Sequence, residues 1–250
     1  MSENDTAQDQ GNLCKVIKVV PENQDTTSLY IEGFDEKLAR RKPGQFITIR
    51  IMKPDGWSEP HPFTVASPPE DPTIRLTIKK EGNFTSAIPD LKPGTQVRCM
   101  GPLGQFCRDI DTNPVIVMIA GGVGVTPFLC VLRHFRYVRA GNSLTLFWVN
   151  KTIDDVFDYN EIKEMTRELK LDIVHCLSRE DNVERHFQKQ YPHVLYEKGR
   201  LNGDILMRHG ITRSASFYLC GPPPMMETAI KELEAIGVNP VAIQSEKFTR

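Results

Sequence analysis

Two short glycine-rich stretches carry the residue types that bind anionic ligands. Gly121-Gly122-Val123-Gly124-Val125-Thr126-Pro127 stands between a continuous apolar run, Val115–Ala120, and a stretch of helical periodicity. Glycines let the backbone approach a ligand closely, and a helix N-terminus presents unpaired N–H groups and a positive dipole end to a phosphate. Thr126 is placed to cap that helix, and Pro127 fits its first turn. The spacing is not G-x-G-x-x-G, so the standard dinucleotide fingerprint is absent. A tight strand–helix turn with packing glycines would be written in the same letters. Cys220-Gly221-Pro222-Pro223-Pro224 repeats the arrangement at a later strand end. Ligands of open parallel sheets bind outside the carboxyl ends of the strands, so two such turns can embrace one extended dinucleotide. Taken alone, Cys220 reads as a small buried hydrophobe.

Earlier in the chain, Gly82-Asn83-Phe84-Thr85-Ser86 offers small hydroxyl residues and N–H groups to a second anion, although the same letters suit a plain loop. His61-Pro62-Phe63-Thr64 is on its residues only a strand start, and the C-terminal Glu246-Lys247-Phe248-Thr249-Arg250 says little by itself. The six cysteines (14, 99, 107, 130, 176 and 220) form no C-x-x-C pair and do not group with the six histidines at zinc-like spacing. Scattered thiolates do not hold an iron–sulfur cluster. Reduced, mostly buried thiols are expected, with no metal site, so a redox cofactor here would be organic.

The elements that position these residues differ between the two halves. Up to about Arg108, short β-rich runs alternate with turn signals: Cys14–Val20, Thr27–Ile31, Gln45–Ile51, Phe63–Ala66, Ile74–Lys79 and Gln96–Met100. Ile74, Leu76 and Ile78 alternate with Arg75, Thr77 and Lys79, the period of a half-buried strand. Such strands at this spacing predict a small antiparallel barrel or sandwich. From Pro114 the pattern changes to strand–helix alternation. Val115–Ala120, Leu144–Val149, Leu171–Leu177, Phe217–Cys220 and Val241–Ile243 read as strands. Helices are expected from Thr126 to about Arg139, closed by Gly141, from an Asp158-x-x-Glu161 capping box to about Lys170, and over Pro222–Ile236. The second half is therefore a parallel α/β sheet. Residues 178–200 carry no clear pattern. The expected organisation is a disordered tail over 1–12, an antiparallel Greek-key β-barrel over 13–110 and a nucleotide-binding α/β domain over 111–250.

The 250 residues can bury full cores, and 40% hydrophobic with 25% charged residues is ordinary for a globular protein. Lys and Arg number 31 against 32 Asp and Glu, a net charge of -1, so no basic field draws nucleic acid or anionic lipid. No apolar run has the length of a membrane span, and the polar start MSENDTAQDQGN has no signal-peptide core. A cytoplasmic home is expected.

The order of the motifs resembles that of the ferredoxin–NADP reductase superfamily, nearest in pattern to the flavin domains of NADPH oxidases and ferric reductases. Six features appear in sequence: HPFT at 61–64, KKEGNFT at 79–85, Gly101-Pro102-Leu103-Gly104, the Gly122–Pro127 loop, Cys220-Gly221-Pro222, and Glu246-x-Phe248. Together they span roughly 14–250. The resemblance implies a flavin-binding barrel followed by a nucleotide-binding domain, with FAD and NAD(P)H as cofactors. It also implies hydride transfer from the nicotinamide to the flavin, and passage of electrons to an acceptor on another chain or to a small molecule.

The resemblance also implies roles for residues. Phe63 lies against the isoalloxazine, Thr64 hydrogen-bonds the ring near its hydride-accepting nitrogen, and His61 and Pro62 adjoin the flavin side chain. Gly82, Phe84, Thr85 and Ser86 hold the flavin pyrophosphate. Gly121, Gly122, Gly124, Val125, Thr126, Gly221 and Pro222 hold the nicotinamide dinucleotide. Cys220 and Glu246 border the nicotinamide, and Phe248 covers the flavin's other face, so Thr64, Cys220, Glu246 and Phe248 are expected at the transfer step. Many relatives carry arginine where His61 stands. Histidine is mostly neutral at pH 7, which leaves Lys79 or Lys80 to meet the phosphates. Ser178-Arg179-Glu180 follows the third α/β strand, where NADP-using relatives place the same letters, and Arg179 suits a 2′-phosphate, favouring NADPH over NADH. Two other functions remain open: a non-catalytic electron-transfer subunit of a larger redox complex, and a nucleotide-binding regulator without flavin. The paired aromatics Phe63 and Phe248 speak against the regulator.

Overall fold

The computed structural model describes residues 11–54 and 56–247. Phe248, expected over the flavin, lies outside the described residues. Strands β1 (Asn12–Pro21), β2 (Thr26–Glu32), β3 (Phe46–Lys53), β4 (Gly56–Trp57), β5 (His61–Thr64), β6 (Ile74–Lys79) and β7 (Gln96–Leu103) form one sheet in the order β4-β3-β7-β1-β2-β6, with β5 also on β3. Every pairing in it is antiparallel. One further antiparallel bridge, Val65 to Leu76, brings the end of β5 against β6 and curls the sheet onto itself. Val16, Leu29, Ile31, Ile47, Ile49, Leu76 and Val97 fill its interior, each with no exposed surface. Two short helices, α1 (Glu36–Ala39) and α2 (Asn83–Ala87), lie in its connections.

The alternation in β6 misleads on one point. Arg75 and Thr77 were expected on a wetted face, yet they are only 7% and 5% exposed. That face of β6 is covered by polar neighbours: the Arg75 guanidinium meets Ser28, Glu22 and Asp158.

The second sheet is parallel throughout. Its strands β8 (Val115–Gly121), β9 (Ser143–Asn150), β10 (Leu171–Leu177), β11 (Val194–Lys198), β12 (Ser216–Gly221) and β13 (Ile243–Lys247) stand in the order β11-β10-β9-β8-β12-β13. Ile116 and Met118 point into one apolar cluster, and Val117 and Ile119 into another, which is why β8 reads as an unbroken apolar run. Helices α3 (Thr126–Val138), α4 (Tyr159–Glu168), α5 (Gly203–Arg208) and α6 (Pro223–Ala235) contribute to these clusters. The chain reverses direction across the sheet between β8 and β12. The two glycine-rich turns therefore leave adjacent strands at the topological switch point.

Four local expectations are corrected. A 3-10 turn, Gly122–Val125, precedes α3, and the Thr126 hydroxyl donates to the Val123 carbonyl (3.0 Å), so Thr126 is not the cap. Arg139 itself ends α3 in the left-handed region (φ 54), ahead of Gly141. No capping box forms at Asp158, which is also left-handed (φ 54), because its carboxylate is held by Arg75 and Arg133. A 3-10 turn over Pro240–Ala242 delays the last strand to Ile243. The patternless stretch 178–200 contains β11, whose five residues are too few and too mixed to show a period.

Candidate active site

Two clefts open on the side where the strands of the parallel sheet end. The first, about 320 Å³, is lined by Pro62, Phe63 and Thr64 of β5, by Phe46, Thr77, Lys79, Glu81 and Thr85, and across from them by Val123, Thr126 and Glu246. The second, about 500 Å³, is lined by Gly121, Gly122, Val123, Asn150, Lys151, Ser178, Arg179, Arg200, Pro222 and Pro224, with Lys79 and Asp25 at the barrel side. Lys79 and Val123 belong to both, so the clefts adjoin.

In the first cleft β5 is fixed by its register on β3, with Phe63 opposite Ile47 and Thr64 opposite Phe46. The His61 ring stacks on Phe84 at 3.7 Å between centroids and 22° between planes, and Phe84 lies 6.0 Å from Phe63. Burial, helped by Lys53, holds the His61 imidazole below its ordinary pKa. It is therefore a neutral aromatic surface at pH 7 and not a cation for a phosphate. Lys79, which lines both clefts and pairs with Asp25 at 3.2 Å, is the cation on this side among the described residues. Of the 82–86 turn only Thr85 lines the cleft. Its hydroxyl accepts from the Glu81 and Gly82 N–H groups (2.8 and 3.0 Å) and so shapes the turn. Gly82 is extended (φ -172), and a Cβ there would meet nothing within 4 Å. Neither backbone nor packing against the described residues calls for glycine at that position.

The glycines of the second cleft divide. A Cβ on Gly124 would lie 2.4 Å from the Cys220 carbonyl oxygen, and one on Gly121 would lie 2.6 Å from the Met225 methyl and 2.7 Å from Pro222. A Cβ on Gly221 (φ +157) would lie 2.6 Å from the Met225 methyl and 2.9 Å from the Gly121 nitrogen. These three are packing glycines that press the two turns together. Gly122 (φ +52) faces open space. Gly124, Val125, Cys220 and Gly221 do not line either cleft. The Cys220 side chain is fully buried, and burial with Glu246 nearby pushes its thiol well up. Glu246 pairs in register with Cys220 but reaches the first cleft. Burial raises its carboxyl, and its Oε2 is buried with no hydrogen-bond partner among the described residues.

Sequence reasoning missed three residues of the second cleft. Asn150 ends β9, and its buried Nδ2 has no partner among the described residues. Lys151 follows β9, as Arg179 follows β10 and Arg200 follows β11, so three neighbouring strands each deliver a cation to one place. The Arg179 N–H donates to the Lys151 carbonyl (2.7 Å), and the Ser178 hydroxyl to that of Asn150 (3.2 Å), tying the loops together. Glu180 turns inward to the Ile153 N–H and to Arg185. The signal that could have found Lys151 is its place one residue past a buried strand. Arg200 was hidden with β11.

Comparison with known proteins follows this geometry. Residues 12–97 match the FAD-binding domain family and residues 118–231 the oxidoreductase NAD-binding domain family. The two matches together take in most of the chain, an FAD-binding domain followed by an oxidoreductase NAD-binding domain. It is 29% identical to the reductase component of propane 2-monooxygenase from Mycolicibacterium goodii, over 94% of this chain and 67% of that protein. It is 26% identical to a flavohemoprotein of Bacillus anthracis, over 93% of this chain and 60% of that one. The chain thus spans roughly two thirds of the length of the curated relatives it matches. These relatives are monooxygenase reductase components and flavohemoproteins, not the NADPH oxidases or ferric reductases that its motif order resembles. In fold it superposes on a flavohemoglobin from Malassezia yamatoensis with TM-score 0.78 at 23% identity, covering 99% of this chain and 63% of that one. It superposes on a ferredoxin NADP+ reductase from Neisseria gonorrhoeae with TM-score 0.74 at 16% identity, covering 95% and 97%.

The residues present fit both cofactors. Among the described residues an aromatic wall and an unpartnered carboxyl oxygen stand in the first cleft, and an open glycine stands in the turn that supplies Thr85 to it. Another open glycine, an orphaned amide donor and three cations stand in the second. Among the described residues no helix is long and apolar enough to cross a membrane.

Proposed function

We propose that this chain takes hydride from NADPH onto FAD and passes the electrons on to a separate oxygenase protein. The observation that carries this is the junction of the two clefts at Lys79 and Val123, one walled by β5 and the other by parallel-strand ends. FAD, when bound, supplies the acceptance of two electrons together and their release one at a time. The chain's own work is positioning. Phe63 and Thr64 hold the ring system in the first cleft, and His61 and Phe84 extend the aromatic surface. Gly82 leaves room for the pyrophosphate, whose charge Lys79 meets. Gly122 and the second cleft hold the nucleotide, with Arg179, Lys151 and Arg200 around its 2′-phosphate. Glu246 closes the first cleft where the two ligands meet, and Phe248 is its neighbour in sequence.

The oxygenase acceptor rests on the likeness to a monooxygenase reductase component. A domain boundary near residue 110 agrees with the change from the first sheet to the second. Six buried thiols suit a reducing compartment such as the cytoplasm.

The test is a titration of the purified chain with FAD, followed by NADPH under argon. Uptake of one FAD and bleaching by NADPH are expected. A chain that binds FAD but is bleached by neither NADPH nor NADH is an electron-transfer subunit, and one that takes no FAD overturns the proposal.

A further inference from the structure

The barrel and the parallel sheet are joined by a buried chain of charges that no cofactor role uses. Arg75 of β6 donates to Glu22 (2.8 Å) and to Asp158 Oδ1 (2.9 Å). The other oxygen of Asp158 accepts from Arg133 of α3 (2.9 Å), which also holds Glu161 (2.6 Å). The side chains of Arg75, Arg133 and Asp158 are exposed by only 8%, 8% and 10%. Asp158 is thus a carboxylate fork with one tine on each half of the molecule, held in a left-handed backbone conformation that only a few non-glycine residues adopt.

The same helix reaches back to the flavin strand. Arg133 Nη1 donates to the Ala66 carbonyl at 2.7 Å, and the Cys130 thiol to the Ser67 carbonyl at 3.2 Å. Ala66 lies two residues past Thr64, the end of β5. The opposite end of α3 supplies Thr126, with Val123 just before it, to the first cleft. One rigid helix therefore touches β5 just past its end and lines the cleft that β5 walls. Any slip at Arg133 moves Val123 and Gly122 relative to Phe63 and Thr64.

We propose that Asp158, with Arg75 and Arg133, is a positioning group for hydride transfer, setting the offset between the two clefts rather than contributing mainly to stability. This rests on the preceding assignment of FAD and nucleotide to those clefts. Buried ion pairs return little net stability against their desolvation, but two guanidiniums on one carboxylate admit a single geometry. Hydride transfer is sensitive to geometry, and a displacement of about 1 Å can lower its rate about a hundredfold.

Asp158→Asn keeps the shape and turns an amide N–H toward one guanidinium. Arg133→Lys keeps the charge but loses the planar fork that spans Ala66, Asp158 and Glu161. In both, flavin reduction at saturating NADPH is expected to slow about ten- to a hundredfold per bound FAD. The dissociation constant for NADP should stay within about twofold, because neither residue lines the second cleft. Amide exchange should quicken in 65–67 and 130–134 and remain unchanged in β8 and β12. A lowered melting temperature with an unchanged saturated rate would overturn the proposal, leaving the junction structural. So would an Arg133→Lys enzyme of normal rate. Should Asp158→Asn not fold, Glu22→Gln removes only an outer partner, and an unchanged saturated rate there with quickened exchange at 65–67 would equally overturn it. Failure of the wild-type chain to take up FAD would instead sink the cofactor assignment, and the exchange measurement would still read the junction.

Discussion

Cys220 and Glu246 stand opposite each other on the parallel strands β12 and β13, yet only the glutamate reaches the cleft. Cys220 is fully buried in the apolar cluster below it. The two residues, paired in expectation at the nicotinamide, therefore separate in prediction. Cys220→Ala should cost about 1 kcal/mol of stability and leave flavin reduction within about twofold. Glu246→Gln should slow flavin reduction about tenfold, or about 1.4 kcal/mol in the barrier, with flavin content unchanged. Anaerobic stopped-flow on both variants measures this, and a slow Cys220→Ala enzyme would return the thiol to the site.

The raised Glu246 carboxyl has a consequence for stability. Its folded pKa lies above its unfolded one because burial disfavours the charged form. The folded state thus holds the proton more tightly, and this contribution is fully present below the unfolded pKa and lost as pH rises through the folded pKa. Melting temperatures of the wild-type chain and Glu246→Gln should diverge across that rise, with the variant gaining relative to the wild type at higher pH. Parallel curves from acid to neutral pH would mean that the carboxyl ionises in the fold as freely as in water. The comparison is best made on flavin-free protein, where the cleft is not altered by a ligand.

The glycines give a sharper test of which turns serve the ligand and which serve the fold. Gly82→Ala meets no atom within 4 Å and suffers no backbone strain, so apo stability should hold or rise by up to about 1 kcal/mol. FAD affinity should fall about tenfold if the open space is the ligand's. Gly124→Ala places a Cβ 2.4 Å from the Cys220 carbonyl oxygen, a backbone atom that cannot swing away. It should destabilise by about 1–3 kcal/mol whether or not nucleotide is present. Undiminished FAD binding by Gly82→Ala would make that turn an ordinary loop.

What the sequence made legible followed from periodicity and punctuation. β8 was readable because both its faces are apolar, and β6 because Ile74, Leu76 and Ile78 alternate. The reading of β6 failed at Arg75 because an arginine normally signals solvent, and here its charge is met by carboxylates 53 and 83 residues away along the chain. Asp158 and Glu161 had the spacing of a helix cap, but two buried guanidiniums outcompete backbone N–H groups for a carboxylate. The glycine motifs located both clefts. They did not tell Gly122, which faces space, from Gly121 and Gly124, which face other backbone, since that depends on how closely the turn after β12 approaches.

The last prediction concerns the choice of nucleotide. Lys151, Arg179 and Arg200 follow three adjacent strands and line one cleft, while Asp155, which lines the same cleft, has its carboxylate engaged by the Thr152 N–H at 2.8 Å. Three cations against that one carboxylate leave an excess of positive charge where the second cleft meets the ends of β9, β10 and β11. Each charge-assisted contact to a phosphate contributes about 1.5–3 kcal/mol, or roughly ten- to a hundredfold in affinity. Arg179→Ala and Arg200→Ala should each raise the Michaelis constant for NADPH within that range and leave the constant for NADH within about twofold. If both arginines grip one phosphate, the double variant should lose less than the sum of the single losses, because a group already released by one cannot be lost again to the other. Steady-state rates with both donors, using ferricyanide as acceptor, decide this. Equal losses for NADPH and NADH would place the arginines on the shared part of the nucleotide, and no loss for either would leave them as solvated surface charge.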